Sequence, residues 1–232
     1  AAVRGVPDVL LLINARIKRK IMKMEKTEQK INYRIKQEKI MRTLDPNDPP
    51  RLLLHSCCAP CSSAVLEYLS EYFLITVLYF NPNIYPEEEF LHRIAEQKRL
   101  IAELPCKNPV SFEEHGWQQQ RFYAAVRGLE EIREGGERCF ACYRLRLEET
   151  ARLAAEGGYG YFTTTLSVSP YKNAVKLNEI GEELAEKYGV AHLPSDFKKK
   201  DGYRRSIELS EKYGLYRQNY CGCIFSQNER RF

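Results

Sequence analysis

No run in this 232-residue chain is long and apolar enough to cross a bilayer. Val9 to Ile13 comes nearest. It is also too short for a signal-peptide core, and the basic residues that should precede such a core mostly follow it. A cytoplasmic protein with no membrane partner is expected. Internal repeats are missing, and no second domain of comparable size is visible. Neither GxxxxGKS/T nor GxGxxG occurs, so the usual loops for cradling a nucleotide phosphate are absent.

Cysteine is what the chain has instead. Seven of its eight cysteines fall in three tight clusters: Cys57, Cys58 and Cys61 in HSCCAPCS, Cys139 and Cys142 in RCFACY, and Cys221 and Cys223 in YCGC. Disulfide scaffolds belong to small secreted domains with too little core, whereas a chain of this length can bury a substantial one. The thiols are therefore expected to be reduced or metal-bound. Paired thiols in short turns suit an iron–sulfur cluster. They also suit structural zinc, for which Cys58/Cys61 and Cys139/Cys142 would supply four ligands. C-A-P-C at a helix start would allow dithiol exchange as well. Seven thiols exceed what one zinc ion or one redox pair requires. Cys106, in LPCK, has no near partner and reads as a packed thiol.

Positive charge is concentrated at one end. Ala1 to Thr43 carries 12 Lys or Arg against 4 Asp or Glu, which leaves the other 189 residues with a small negative excess. Ile17, Ile21, Met24, Ile31, Ile35 and Ile40 recur mostly at helical spacings there. Residues 1–50 are thus expected to be a basic helical extension that ends in a Pro/Asp/Asn-rich linker at 44–50, either a solvated helix on the domain or a phosphate-contacting surface. Residues 51–232 read as one α/β domain. Strands are expected at 51–55, 73–80, 159–164 and 190–193, and helices at 62–71, 86–104, 113–133, 140–156, 170–188 and 203–213. This alternation predicts a parallel sheet with helices on both faces. HSCCAPCS then lies beyond the carboxyl end of the first strand, where open parallel sheets bind ligands, with Ser62 and Ser63 as caps of the next helix.

Six blocks occur in order between Leu52 and Ser226: HSCCAPCSS, FNPNIYPEEEF, RCFACYRLRL, FTTTLSVSPYKN, DFKKKDGYRRS and YRQNYCGCIFS. Together they closely resemble the QueH-type epoxyqueuosine reductases. The resemblance implies an adenine nucleotide α-hydrolase-like (HUP) fold and a cobalamin-independent oxidoreductase. It implies reduction of epoxyqueuosine to queuosine at the wobble position of tRNAs with GUN anticodons. A 4Fe-4S cluster, an adjacent mononuclear metal ion (iron or zinc) and an external electron-donor protein are implied with it.

On that basis four thiolates, drawn from Cys57, Cys58, Cys139, Cys142, Cys221 and Cys223, would complete the cluster. Up to three of the seven, Cys61 among them, would hold the second ion. Asp196 is a candidate oxygen ligand or proton relay, or else a turn cap; His55 is a candidate proton donor or cluster-tuning ring, or else a strand-end histidine satisfied by backbone. Lys198, Lys199, Lys200, Arg204, Arg205 and Arg217 read as phosphate contacts. Tyr143, Tyr171, Tyr216 and Tyr220 could stack on an unstacked base. Thr164, with Thr163, Thr165, Ser167 and Ser169, could hydrogen-bond the modified base or cap the next helix. Two readings of other classes are an RNA-binding module with structural zinc and an ATP-dependent tRNA-thiolation enzyme, the latter weakened by the missing phosphate loop.

Overall fold

A computed structural model of the chain describes residues 31–229. Most of the expected basic extension lies outside the described residues. Five strands, β1 (Arg51–His55), β2 (Leu74–Tyr79), β3 (Val110–Glu114), β4 (Tyr161–Thr164) and β5 (Ala191–His192), form one all-parallel sheet in the order β3-β2-β1-β4-β5. The helices are α1 (Tyr33–Met41), α2 (Ala59–Leu69), α3 (Glu87–Glu103), α4 (Gln119–Ala125), α5 (Glu137–Glu156), α6 (Ala174–Tyr188), α7 (Gly202–Lys212) and α8 (Ile224–Glu229), with a 3-10 turn at Thr165–Val168.

Period-2 alternation in β1 divides two cores. Leu52 and Leu54 face one side with Leu66 and Leu69 of α2 and Leu209 of α7. Leu53 faces the other with Leu147 and Ala151 of α5 and Leu177, Ile180 and Leu184 of α6. Helices therefore cover both faces, and β1 itself is buried as an apolar run from Leu52 to Leu54. The chain winds outward from β1 to β2 and β3, then returns to β4 on the opposite side of β1. The carboxyl ends of β1 and β4 are thus the switch point at which such a sheet opens a crevice.

Three sequence-based boundaries need correction. The expected helix over 113–133 is instead strand β3 followed by the short α4. Val110-Ser-Phe-Glu-Glu114 is an edge strand with partly exposed residues on both faces, and its glutamates suit an edge rather than a buried run. Helix α2 begins at Ala59 rather than Ser62, with Pro60 in its first turn and Cys58 at the N-cap. Ser62 and Ser63 are consequently inside the helix, and the Ser63 hydroxyl donates to the Pro60 carbonyl at 3.0 Å instead of capping an amide. Helix α6, by contrast, starts later than expected, with Asn173 Oδ1 accepting from the Lys176 amide at 3.0 Å; Ser169 is not its cap.

Candidate metal centre and crevice

The first thiol set comes from one turn. The β1 ladder runs out at His55, and the Ser56 amide still donates to the Leu78 carbonyl at 3.0 Å. Cys57, Cys58 and the first turn of α2 then follow. Below them Gln97 Oε1 accepts from Ser56 Oγ at 2.9 Å and lies 2.8 Å from Ser62 Oγ, while Asn81 Nδ2 donates to the Ser56 carbonyl at 2.7 Å. This buried polar network fixes the turn. The Sγ atoms of Cys57, Cys58 and Cys61 lie within 4.8 Å of one another, and those of Cys57 and Cys58 are 3.9 Å apart. A tetrahedral ion with metal–sulfur bonds of about 2.3 Å separates its sulfurs by about 3.8 Å. The three thiols already have the scale of a single-ion site.

The second set is assembled across the fold. Cys139 and Cys142 lie in the first two turns of α5, one helical step apart on its buried face. Cys221 and Cys223 come from the loop before α8. All four line one narrow buried cavity with Asn83, Tyr143 and Arg146. Among the described residues no three of these four thiols approach within the 4.8 Å of the first set, so the arrangement is wider. Gly222, between the last pair, has φ +122°, and its carbonyl accepts from the Tyr85 amide at 2.8 Å. Tyr220 Oη donates to the Tyr85 carbonyl at 2.7 Å. The Asn81–Pro86 loop thus holds the last cysteine pair in place.

Cys221 also faces a second, open crevice of about 270 Å³, whose lining includes Cys57, Cys61, Arg146, Tyr171, Lys172, Arg217 and Tyr220. The two thiol sets are therefore adjoining walls of one region at the switch point. Lys172, nearly buried, donates to Cys221 Sγ at 3.0 Å and pairs with Glu134 at 2.9 Å. Burial opposes the charge of Lys172, but Cys221, Tyr143 and Glu134 outweigh it and hold the ammonium protonated. In return Lys172 and Arg146 hold the Cys221 thiol below its ordinary value against its burial. Hydrogen bonds from Cys57 and Cys61, helped by Arg93, likewise keep Cys58 well below its ordinary value, while Cys57 is pushed up to about 12. Burial raises Cys142 to about 11 and, with Cys221 beside it, Cys223 to about 12. Each set thus favours one thiolate, a starting point for capture of a metal ion that displaces the remaining protons.

The other expected site residues are distributed unevenly. Arg217, Tyr171 and Tyr220 line the crevice, and Tyr171 is 69% exposed at its mouth. Tyr143 lines the narrow cavity instead, its hydroxyl buried. His55 is fully buried: its Nε2–H donates to the Phe80 carbonyl at 3.2 Å, and Nδ1 accepts from Thr164 Oγ1 at 2.8 Å. Burial, reinforced by Arg146, lowers its pKa to about 3, so the ring is neutral. Thr164 completes the chain by accepting from the Leu166 amide at 3.2 Å, and His55 and Thr164 thereby lock the ends of β1, β2 and β4 together. Asp196 is buried between Lys198 at 2.7 Å and Lys199 at 3.4 Å, outside the close group of three thiols. Lys200 pairs with Glu38, Arg204 with Asp201 and Arg205 with Glu67. Sequence reasoning passed over Arg93, Arg146 and Lys172. Arg146 was accessible to it, because residues 139, 142 and 146 share one face of a helix.

A family model described as epoxyqueuosine reductase QueH matches residues 52–229. The chain is 43% identical to the epoxyqueuosine reductase QueH of Streptococcus pyogenes serotype M1 over 201 residues, covering 85% of this chain and 79% of that protein. It is 43% identical to that of Staphylococcus epidermidis, with 85% of each chain covered, and 36% identical to that of Thermotoga maritima, with 78% of this chain and 92% of that one covered. Among the described residues no helix is long and apolar enough to cross a membrane. With seven thiols gathered at the switch point of a parallel sheet and these matches spanning the whole α/β domain, the chain belongs to the epoxyqueuosine reductase QueH family of oxidoreductases.

Proposed function

We propose that the protein reduces the epoxide of epoxyqueuosine in tRNA to the alkene of queuosine, and that the two thiol sets hold different centres. The observation that carries this reading is the convergence of six thiols on two adjoining cavities that share Cys221 and Arg146, with Cys58 beside Cys57 and Cys61 as the seventh. Cys139, Cys142, Cys221 and Cys223, the wider set, would hold a 4Fe-4S cluster. Cys57, Cys58 and Cys61, the closer set, would hold a single iron or zinc ion. Bound together, these centres would supply single electrons and a Lewis acid for an oxygen that leaves as water at the cost of two electrons and two protons.

The chain's own residues bind, orient and exclude. Tyr171 and Tyr220 offer ring faces to an unstacked base at the crevice. Arg217, held by Ser210 at 3.0 Å, stands at the same opening for a phosphate. Lys198, Lys199, Lys200, Arg204 and Arg205 would extend that contact along the tRNA backbone. Arg204 and Asp201 are both largely exposed, and such a pair is worth little enough for a phosphate to replace the carboxylate. Electrons would come from an external donor protein. Anaerobic turnover of epoxyqueuosine-containing tRNA with a low-potential reductant, together with iron and sulfide analysis, tests the proposal. Queuosine formed in proportion to sulfide content is the expected result; a fully loaded protein that makes none would overturn it.

A further inference from the structure

Three cations near the thiols are buried and matched by carboxylates. Arg93 pairs with Glu89 at 2.7 Å, Arg138 with Glu229 at 2.6 Å and Lys172 with Glu134 at 2.9 Å. Arg146 is different. Its side chain is about as buried as that of Arg93, yet among the described residues no carboxylate pairs with it. Among the described residues its guanidinium hydrogen-bonds the protein from Nε, to the Cys142 carbonyl at 3.2 Å. The guanidinium lines both the narrow four-thiol cavity and the open crevice, so it stands where the two thiol sets meet.

An unpaired buried guanidinium costs several kcal/mol unless some anion compensates it. The groups around Arg146 that can carry negative charge are Cys142, Cys221, Cys57 and Tyr143, and they favour its charge over its burial. We infer that Arg146 is a positioning residue whose fixed positive charge compensates the thiolate-ligated centres on both sides of it and raises the reduction potential of the cluster. The inference rests on the proposed function. Electron uptake adds one negative charge to a centre that already carries thiolate charge, and a permanent cation buried beside it stabilises the reduced form more than the oxidised one. Lys172 cannot substitute, because its own charge is shared with Glu134.

The test is a redox titration of anaerobically loaded protein, followed by electron paramagnetic resonance, for wild type, Arg146→Met and Arg146→Lys, with iron and sulfide determined on each. Arg146→Met removes the charge at similar length and should weaken reduction at least tenfold, a lowering of about 59 mV for one electron. Arg146→Lys keeps the charge and should stay near wild type. If Arg146→Met fails to load, loading of Arg146→Lys alone still supports the charge, and loss in both variants overturns it in favour of a purely geometric role. A loaded Arg146→Met with an unchanged potential also overturns the inference while the proposed function stands. Wild-type protein that takes up neither iron nor sulfide removes both.

Discussion

The two thiol sets are built in opposite ways. Cys57, Cys58 and Cys61 belong to a single turn between β1 and α2, so their proximity follows from local chain geometry and one buried Ser–Gln–Asn network. Cys139 and Cys142 meet Cys221 and Cys223 only because the final loop docks on the Asn81–Pro86 loop and α3, through Gly222, Tyr220 and Arg93, while α8 docks on α5 through Arg138 and Glu229. A local set persists when distant packing loosens; a set made across the fold fails with the docking. On the proposed function, the robust site is the one that would hold a single ion and the vulnerable site the one that would hold the cluster.

The strongest way to break the comparison is Cys221→Ala, since that residue alone of the four faces both cavities. Turnover should fall to background and acid-labile sulfide should be lost, while about one metal ion per chain stays with the first set; full sulfide retention would show that Cys221 is not a cluster ligand. Cys61→Ala should do the reverse. Sulfide content stays near wild type, one metal ion is lost, and turnover drops about a hundredfold or more, as expected from removing a Lewis acid worth several kcal/mol. Equal loss of sulfide in both variants would mean that the sets are one site.

That division was only half legible in the sequence. The three cysteine clusters, β1, β2, β4 and the long helices announce themselves, because β1 is an apolar run and α3, α5 and α6 carry helical periodicity. Strand β3 does not, since an edge position relaxes the need for apolar residues. Nothing in RCFACY or YCGC says that the two pairs face one another, because a contact across some 80 residues is decided by sheet order. The cations were harder still. Lys and Arg ordinarily read as solvent-facing, and only the finished fold shows Arg93, Arg146 and Lys172 inside.

A milder perturbation sharpens the contrast by touching docking without touching a ligand. Gly222 needs its left-handed φ, and a Cβ there would meet Arg93 Nη1 at 3.1 Å and Ile84 Cγ1 at 3.2 Å. Gly222→Ala should therefore cost about 1–3 kcal/mol in seating the last cysteine pair. Lower melting temperature with sulfide lost before the single ion is the expected order, read by heating loaded protein and assaying both. Simultaneous release would deny that the sets differ in robustness.

The smallest effect concerns acid and isolates the scaffold from the thiols. His192 is not among the residues that line the crevice, and burial lowers its pKa to about 3 from an ordinary 6.5. Between those values the unfolded chain binds a proton that the native ring refuses, so stability is complete above pH 6.5 and declines as the pH falls below it. One such group contributes a slope of about 1.4 kcal/mol per pH unit. His55 behaves in the same direction, and metal loss in acid adds to both, so the wild-type slope alone assigns nothing. The difference between wild type and His192→Gln does, because the site contributions are common to both chains. Urea unfolding at pH 6.5 and 5.0 should show the variant losing less stability than wild type over that interval, whereas parallel losses would mean that His192 is already protonated in the native fold.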